Sequence, residues 1–230
     1  RQRQMCIRDS FRNISFDLPN NKITGLLGAN GAGKTSLFKA LAGLSKIDKG
    51  SISFYEENLH AMSLEERSNA GLNYVPQENS LFDDLSLQEN LEAVIELKFK
   101  VVSEEKFKQI KDLLEVMKLT DKAKTKSKFL SGGEKRKTEI LRSILLDSKY
   151  ILLDEPFAGV DPRSVEEIIK ILKKFKKNLG IFISDHNFRD VMNVCDEIIL
   201  LNQGELLLQG TPNQVKSNSI AKKLYFGELN

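Results

Sequence analysis

The stretch Gly28-Ala29-Asn30-Gly31-Ala32-Gly33-Lys34-Thr35 constrains this chain more than any other. It fits G-x-x-x-x-G-K-[ST] at every fixed position. Lys22 to Leu27 before it reads as a strand. Leu37, Ala40, Leu41 and Leu44 after it fall on one stripe of a helix over Lys34 to Leu44. A strand, a glycine-rich turn and a helix in that order let backbone N–H groups converge on phosphate oxygens. The positive end of the helix points at the same place. Gly28, Asn30, Gly31, Ala32, Gly33, Lys34, Thr35 and Ser36 are therefore the candidate phosphate-binding residues. Lys34 brings a point charge to the β- and γ-phosphates, and Thr35 a hydroxyl to Mg2+.

The matching half of such a site lies about 120 residues downstream, in Tyr150-Ile151-Leu152-Leu153-Asp154-Glu155. An apolar strand here delivers two carboxylates to its C-terminal end, where ligands bind in open α/β sheets. Asp154 is placed to hold Mg2+ and Glu155 to polarise an attacking water as general base. The expected fold class is α/β, a P-loop NTPase core with a mostly parallel sheet and ATP with Mg2+ as its ligands. Further strands are expected at Ile14 to Leu18, Ser51 to Phe54, Leu72 to Val75 and Gly180 to Ser184. A hairpin is expected from Glu197–Leu201 and Glu205–Gln209. Asp161-Pro162 opens a helix to Lys177, Thr211 to Gln214 forms a capping box, and a last helix runs from about Ser219 to Phe226.

Residues from about 79 to 146 differ in character. They show no strand pattern, and Phe107, Ile110, Leu113, Leu114 and Met117 recur at helical spacing with lysines between them. This is expected to be a helical subdomain inserted in the ATPase domain over 11–230, its lysines a solvated face. With 35 Lys and Arg against 32 Asp and Glu, the charge balance does not mark a nucleic-acid binder. No run approaches the ~18–20 apolar residues of a membrane span, so a membrane link would come through partners. Two cysteines, Cys6 and Cys195, lie far apart without metal spacing and fit a reduced cytosolic compartment. Residues 1–10 read as a non-native artefact standing where a first strand is expected. Met5-Cys6-Ile7-Arg8-Asp9 resembles the translation of a transposase adapter used in DNA library preparation, and a genuine basic arm is the alternative.

Leu130-Ser131-Gly132-Gly133-Glu134 adds a serine and two glycines at a helix start, a second anion site. One P-loop fold has no use for two phosphate cradles unless the second completes a neighbour's site. The segment resembles the ABC signature, usually written LSGGQ, with Glu134 in place of glutamine. Its companions follow in order: Gln77 in Val75-Pro76-Gln77-Glu78 resembles the Q-loop, Gly159-Val160-Asp161 the D-loop, and His186 in Ser184-Asp185-His186-Asn187 the switch histidine. The chain thus resembles the ATP-binding subunits of ABC transporters from Phe11 to Glu228.

That resemblance implies an ATP-dependent, head-to-tail homodimer. Ser131, Gly132, Gly133, Glu134 and Asp161 would close over nucleotide held by the other chain. Gln77 would sense Mg2+ and the membrane partner, and His186 would contact the γ-phosphate. His60 has no such context and reads as a surface residue. The family's adenine-stacking aromatic precedes the second strand; here that stretch coincides with residues 1–10, and Phe11 is not assigned to the role.

Tyr74 to Phe82, Leu153 to Pro162, Ser184 to Asn187 and Lys223 to Glu228 are similar to the ATPases of lipopolysaccharide export, with Asp83-Asp84 and Leu141-Arg142-Ser143 as departures. That subfamily implies a dimer under two membrane subunits, on the cytoplasmic face of the inner membrane. The alternatives are an ATPase of branched-chain amino-acid uptake and a soluble ABC ATPase of translation or DNA repair. The second rival usually carries two ATPase domains or a long coiled-coil insertion. A non-hydrolysing module is disfavoured by the presence of Lys34, Asp154, Glu155 and His186 together.

Overall fold

The structure is a computed structural model and describes residues 14–223. Residues 1–10, Phe11 and the tail from Leu224 to Glu228 lie outside the described residues. The centre is a six-stranded sheet built from β1 (Ile23–Gly28), β4 (Leu72–Val75), β5 (Tyr150–Asp154), β6 (Gly180–Ser184), β7 (Glu197–Asn202) and β8 (Glu205–Gly210). Their spatial order is β4-β5-β6-β1-β7-β8. The first five are mutually parallel, and β8 returns antiparallel beside β7.

Each central strand is apolar on both faces because both faces are covered. The alternation is strict. Leu26, Leu152, Phe182 and Ile199 share one core with Leu37 and Phe38 of α1 (Lys34–Ala42), where the Phe38 and Phe182 rings stack at 4.8 Å. Ile23, Leu27, Ile151, Leu153, Ile181, Ile183 and Ile198 point into the other core. That second core is completed by α3 (Leu87–Phe99), α4 (Glu104–Val116), α5 (Gly132–Leu145), α6 (Pro162–Phe175) and α7 (Phe188–Val194). One-residue spacing along the strands thus decides which layer each side chain joins.

The stretch 79–146 holds α3, α4, α5 and two 3-10 turns, with no strand among the described residues. Ser86 and Ser131 close capping boxes at the starts of α3 and α5, and Ser103 caps α4. On α4 the stripe buries Ile110, Leu113 and Leu114, with Met117 just beyond it, while Phe107 stays 38% exposed.

Four expectations need correction. The helix from Lys34 ends at Ala42 rather than Leu44. Residues 14–18 form no strand, although Ile14, Phe16 and Leu18 do pack on the smaller core; no ladder partner runs beside them among the described residues. The Ser51–Phe54 strand shrinks to β2 (Ser53–Phe54), paired with β3 (Glu57–Asn58). The helix from Pro162 ends at Phe175 rather than Lys177. Two helices went unread, α2 (Leu64–Ala70) and α7, because seven residues give under two turns of periodicity, although Ser63 and Glu66 spell a capping box at the start of α2. Beyond the hairpin come α8 (Pro212–Ser217), opened by the expected Thr211 capping box, and α9 (Ser219–Ala221).

Candidate nucleotide site

The sheet order places β5, β6 and β1 side by side, so the loops that leave their C-terminal ends share one edge. After β1 the chain turns through Gly31 (φ 80°) and Gly33 (φ 99°) into α1. Both angles lie in the left-handed region that favours glycine. A side chain at Gly28 would place its Cβ 2.8 Å from the Leu201 carbonyl, so the loop begins where only glycine fits between β1 and β7. Lys34 is almost fully buried and donates to the carbonyls of Gly28 (2.7 Å) and Ala29 (3.1 Å). Burial lowers its pKa, and the charges of Glu155, Asp154 and Asp185 pull it back up. The ammonium therefore stands in the field of three carboxylates that arrive from β5 and β6.

Asp154 ends β5 and is fully buried. Its Oδ2 accepts from the Tyr74 hydroxyl at 3.1 Å, and Arg136 Nη2 donates to its carbonyl at 2.6 Å. Burial raises its pKa, partly countered by the Tyr74 hydrogen bond. Glu155 follows in a left-handed conformation (φ 46°), its N–H donating to the Ser184 carbonyl at 2.6 Å. That turn separates the two carboxylates. Glu155 Oε2 accepts from Gln77 Nε2 at 2.9 Å and lies 3.4 Å from His186 Nδ1. Gln77, Glu155 and His186, far apart in sequence, thus meet at one oxygen.

The other glycine-rich helix start lies elsewhere. Ser131 Oγ accepts from the Glu134 N–H, and Glu134 Oε2 accepts from the Ser131 N–H at 2.8 Å. Glutamate in place of the usual glutamine therefore closes a capping box. Ser131 and Gly132 are exposed. A Cβ on Gly133 would stand 2.5 Å from the Ser164 Cβ, and one on Gly132 would stand 3.3 Å from the Gly159 carbonyl. The two glycines let α5 press against the Gly159–Asp161 turn, where Asp161 Oδ1 caps α6 through the Ser164 N–H. The segment packs on that turn as one unit facing solvent.

The sequence profile of the ABC transporter family matches residues 11–158. The chain belongs to the ABC transporter family. The Haemophilus influenzae lipopolysaccharide export system ATP-binding protein LptB is 38% identical over 216 residues, covering 94% of this chain and 90% of that protein. The Escherichia coli K12 protein of the same name is 37% identical over the same shares. Among solved structures, the ADP conformation of MJ1267, an ATP-binding cassette of an ABC transporter, superposes with a TM-score of 0.84 at 25% identity, covering 95% of this chain and 93% of that one. This chain is accordingly an ABC-type ATPase.

Two buried polar atoms on this ABC ATPase bear on a metal. Asp154 Oδ1 and Ser184 Oγ make no well-formed hydrogen bond among the described residues, although the Ser184 hydroxyl lies close enough to the Asp154 carboxylate to help hold its pKa down. Leaving a buried carboxylate oxygen unsatisfied costs about 1–3 kcal/mol or more, so this oxygen suits a cation or its bound water. Among the described residues no group of three or more His, Cys, Asp or Glu is arranged to hold a metal ion by itself. A single buried carboxylate suits Mg2+, which is usually held by one or two protein oxygens plus substrate phosphates.

Sequence reasoning missed several residues that build the site. Asp185 is fully buried and accepts from the N–H groups of Phe157 (3.0 Å) and Asn187 (2.8 Å), tying the loop after β5 to the loop after β6. Its signal was its place beside His186 in Ser184-Asp185-His186-Asn187, at the end of a buried strand. Tyr74, Arg136 and Glu139 carried none, because their partners are distant in the chain. His60 is exposed, as expected, and Phe82 is 47% exposed with Arg142 over its ring at 5.5 Å.

Proposed function

We propose that this ABC ATPase powers lipopolysaccharide export from the inner membrane, as a head-to-tail homodimer beneath two membrane subunits. The observation that carries the transport reading is the 37–38% identity to two LptB proteins across 94% of the chain. No helix among the described residues is long and apolar enough to cross a membrane, which fits a subunit that reaches the bilayer through partners on its cytoplasmic face.

Within the site, the geometry supports the following roles. Gly28, Asn30, Gly31, Ala32, Gly33, Thr35 and Ser36 present the loop and the start of α1 to the phosphates, and Lys34 turns from its carbonyls to them. Asp154, Thr35 and Gln77 would hold Mg2+. The ion supplies charge neutralisation across the phosphates when bound. Glu155 accepts the proton side of the attacking water, held in place by Gln77 and His186. Ser131, Gly132, Gly133 and Glu134, with Asp161 behind them, offer the exposed N-terminus of α5 to nucleotide on a second chain. The lobe at 79–146 would carry that surface, with Phe82 as an apolar anchor for the membrane subunits.

The test is reconstitution of the protein with the membrane subunits encoded beside it. ATP-dependent release of lipopolysaccharide from proteoliposomes to a soluble acceptor is the expected result. Coupling to branched-chain amino-acid uptake instead, or no coupling to either, would refute the export reading while leaving the ATPase intact.

A further inference from the structure

Gln77, Glu78 and Asn79 are all exposed, and none of them packs into a core. The conformation of so short a loop is imposed by whatever holds its ends. Arg136 and Glu139 lie one turn apart on α5, 5% and 4% exposed. Arg136 Nη1 donates to the Pro76 carbonyl at 2.7 Å, just before Gln77. Glu139 Oε1 accepts from the Ser80 N–H at 2.6 Å and the Ser80 hydroxyl at 3.0 Å, just after Asn79. The two side chains are joined to each other, Arg136 Nη1 to Glu139 Oε2, at 3.0 Å. The same guanidinium reaches the carbonyl of Asp154, the residue before Glu155. One buried ion pair therefore grips both ends of the loop that carries Gln77 and the strand end that carries Glu155.

We propose that Arg136 and Glu139 are positioning residues for hydrolysis, a buried clamp on α5 that sets Gln77 against Glu155. The inference rests on the reading of Glu155 as the base and Gln77 as its partner. A buried ion pair is weak evidence for stability, since apolar residues of similar volume often hold a core as well or better. Apolar residues could not supply what this pair supplies, a donor toward two carbonyls and an acceptor toward one N–H. Such polarity specifies a backbone path. The path matters here because Gln77 Nε2 and Glu155 Oε2 meet at hydrogen-bond distance, 2.9 Å. A displacement of about 1 Å at a reacting group can cost on the order of a hundredfold in rate.

The experiment compares Glu139→Ala, Glu139→Gln, Gln77→Ala and the Gln77→Ala/Glu139→Ala pair in the full chain, reading phosphate release and binding of a fluorescent ATP analogue. Glu139→Ala is expected to lower kcat about ten- to a hundredfold while nucleotide affinity stays within about twofold. Glu139→Gln, which keeps an acceptor for Ser80, should recover most of the rate. In the Gln77→Ala background, Glu139→Ala should add almost nothing, because the group it positions is gone. Equal losses in both backgrounds, a matching loss of affinity, or an unchanged kcat in Glu139→Ala would overturn the clamp. An unchanged kcat in Gln77→Ala would instead overturn the reading beneath it. Should Glu139→Ala not fold, Ser80→Ala removes one of the two gripped groups, and its smaller kcat loss must likewise vanish in the Gln77→Ala background.

Discussion

Replacing Glu155 by glutamine separates chemistry from binding, and the structure says how completely. Both neighbours of the carboxylate, Gln77 Nε2 at 2.9 Å and His186 Nδ1 at 3.4 Å, sit on Oε2. Oε1 makes no hydrogen bond among the described residues, so it is the oxygen open to a water. In the Glu155→Gln variant the amide keeps the bond to the Gln77 N–H by turning its carbonyl toward it. The NH2 group then occupies the Oε1 position. The water meets a donor where it had met an acceptor, and the base is lost rather than weakened. General base catalysis contributes about 10²–10⁴ in rate, or roughly 2.7–5.5 kcal/mol of barrier. A loss toward the upper end is expected here.

Lys34, Thr35 and the glycine loop are untouched by this change, so ATP binding should persist. The bound ATP should hold two chains through the start of α5, where Ser131 and Gly132 are exposed. Phosphate release and gel filtration in ATP with Mg2+ measure both consequences together. The variant should run as a stable dimer where the wild type cycles back to monomer. Phosphate release at the normal rate would refute the assignment of the base. A slow variant that stays monomeric in ATP would refute the intersubunit role of the second helix start.

Gly133→Ala should cost about 1–3 kcal/mol of stability in urea unfolding, because its Cβ would stand 2.2 Å from Ser164 Oγ and 2.5 Å from Ser164 Cβ. Ser164→Gly in the same chain should return most of that loss, and a Gly133→Ala variant as stable as wild type would mean that α5 and α6 separate freely. Asp154→Asn should raise the thermal midpoint in the absence of Mg2+ at neutral pH while weakening Mn2+ binding measured by electron paramagnetic resonance. The sign follows from the raised pKa of Asp154. A buried acid with a raised folded pKa favours folding below its unfolded pKa, and that stability is lost as pH rises through the folded value. At neutral pH its charge opposes folding, and neutralising it removes that cost. A lower midpoint for Asp154→Asn would show that hydrogen bonding outweighs desolvation there.

What the sequence by itself determined is local or periodic. Gly28 to Thr35 needs a strand behind it and a helix ahead, and β1 and α1 supply them within eight residues of the motif. The strands β4 to β7 were legible because burial on both faces leaves almost unbroken apolar runs. Asp161 and Thr211 were legible as caps because a cap depends on the next three residues only, while Ser131, read as an anion site, proved to close a capping box as well. The order of the motifs told which family's chemistry to expect, but not how their side chains meet.

Tertiary structure alone decided the rest. It put β5, β6 and β1 next to one another, which brings Asp154, Asp185 and Lys34 into one field although 151 residues of numbering separate Lys34 from Asp185. It chose Oε2 of Glu155 as the meeting point of Gln77 and His186. It also recruited Arg136 and Glu139, which in sequence are two more charged residues on a helix rich in them. Their function depends on which carbonyls and N–H groups face them across the core. A hydrogen bond between residues 60 positions apart, such as Arg136 to Pro76, leaves no periodicity in either segment. Burial removes water as the competing partner, so these distant groups must satisfy one another, and only the folded chain says which ones they are.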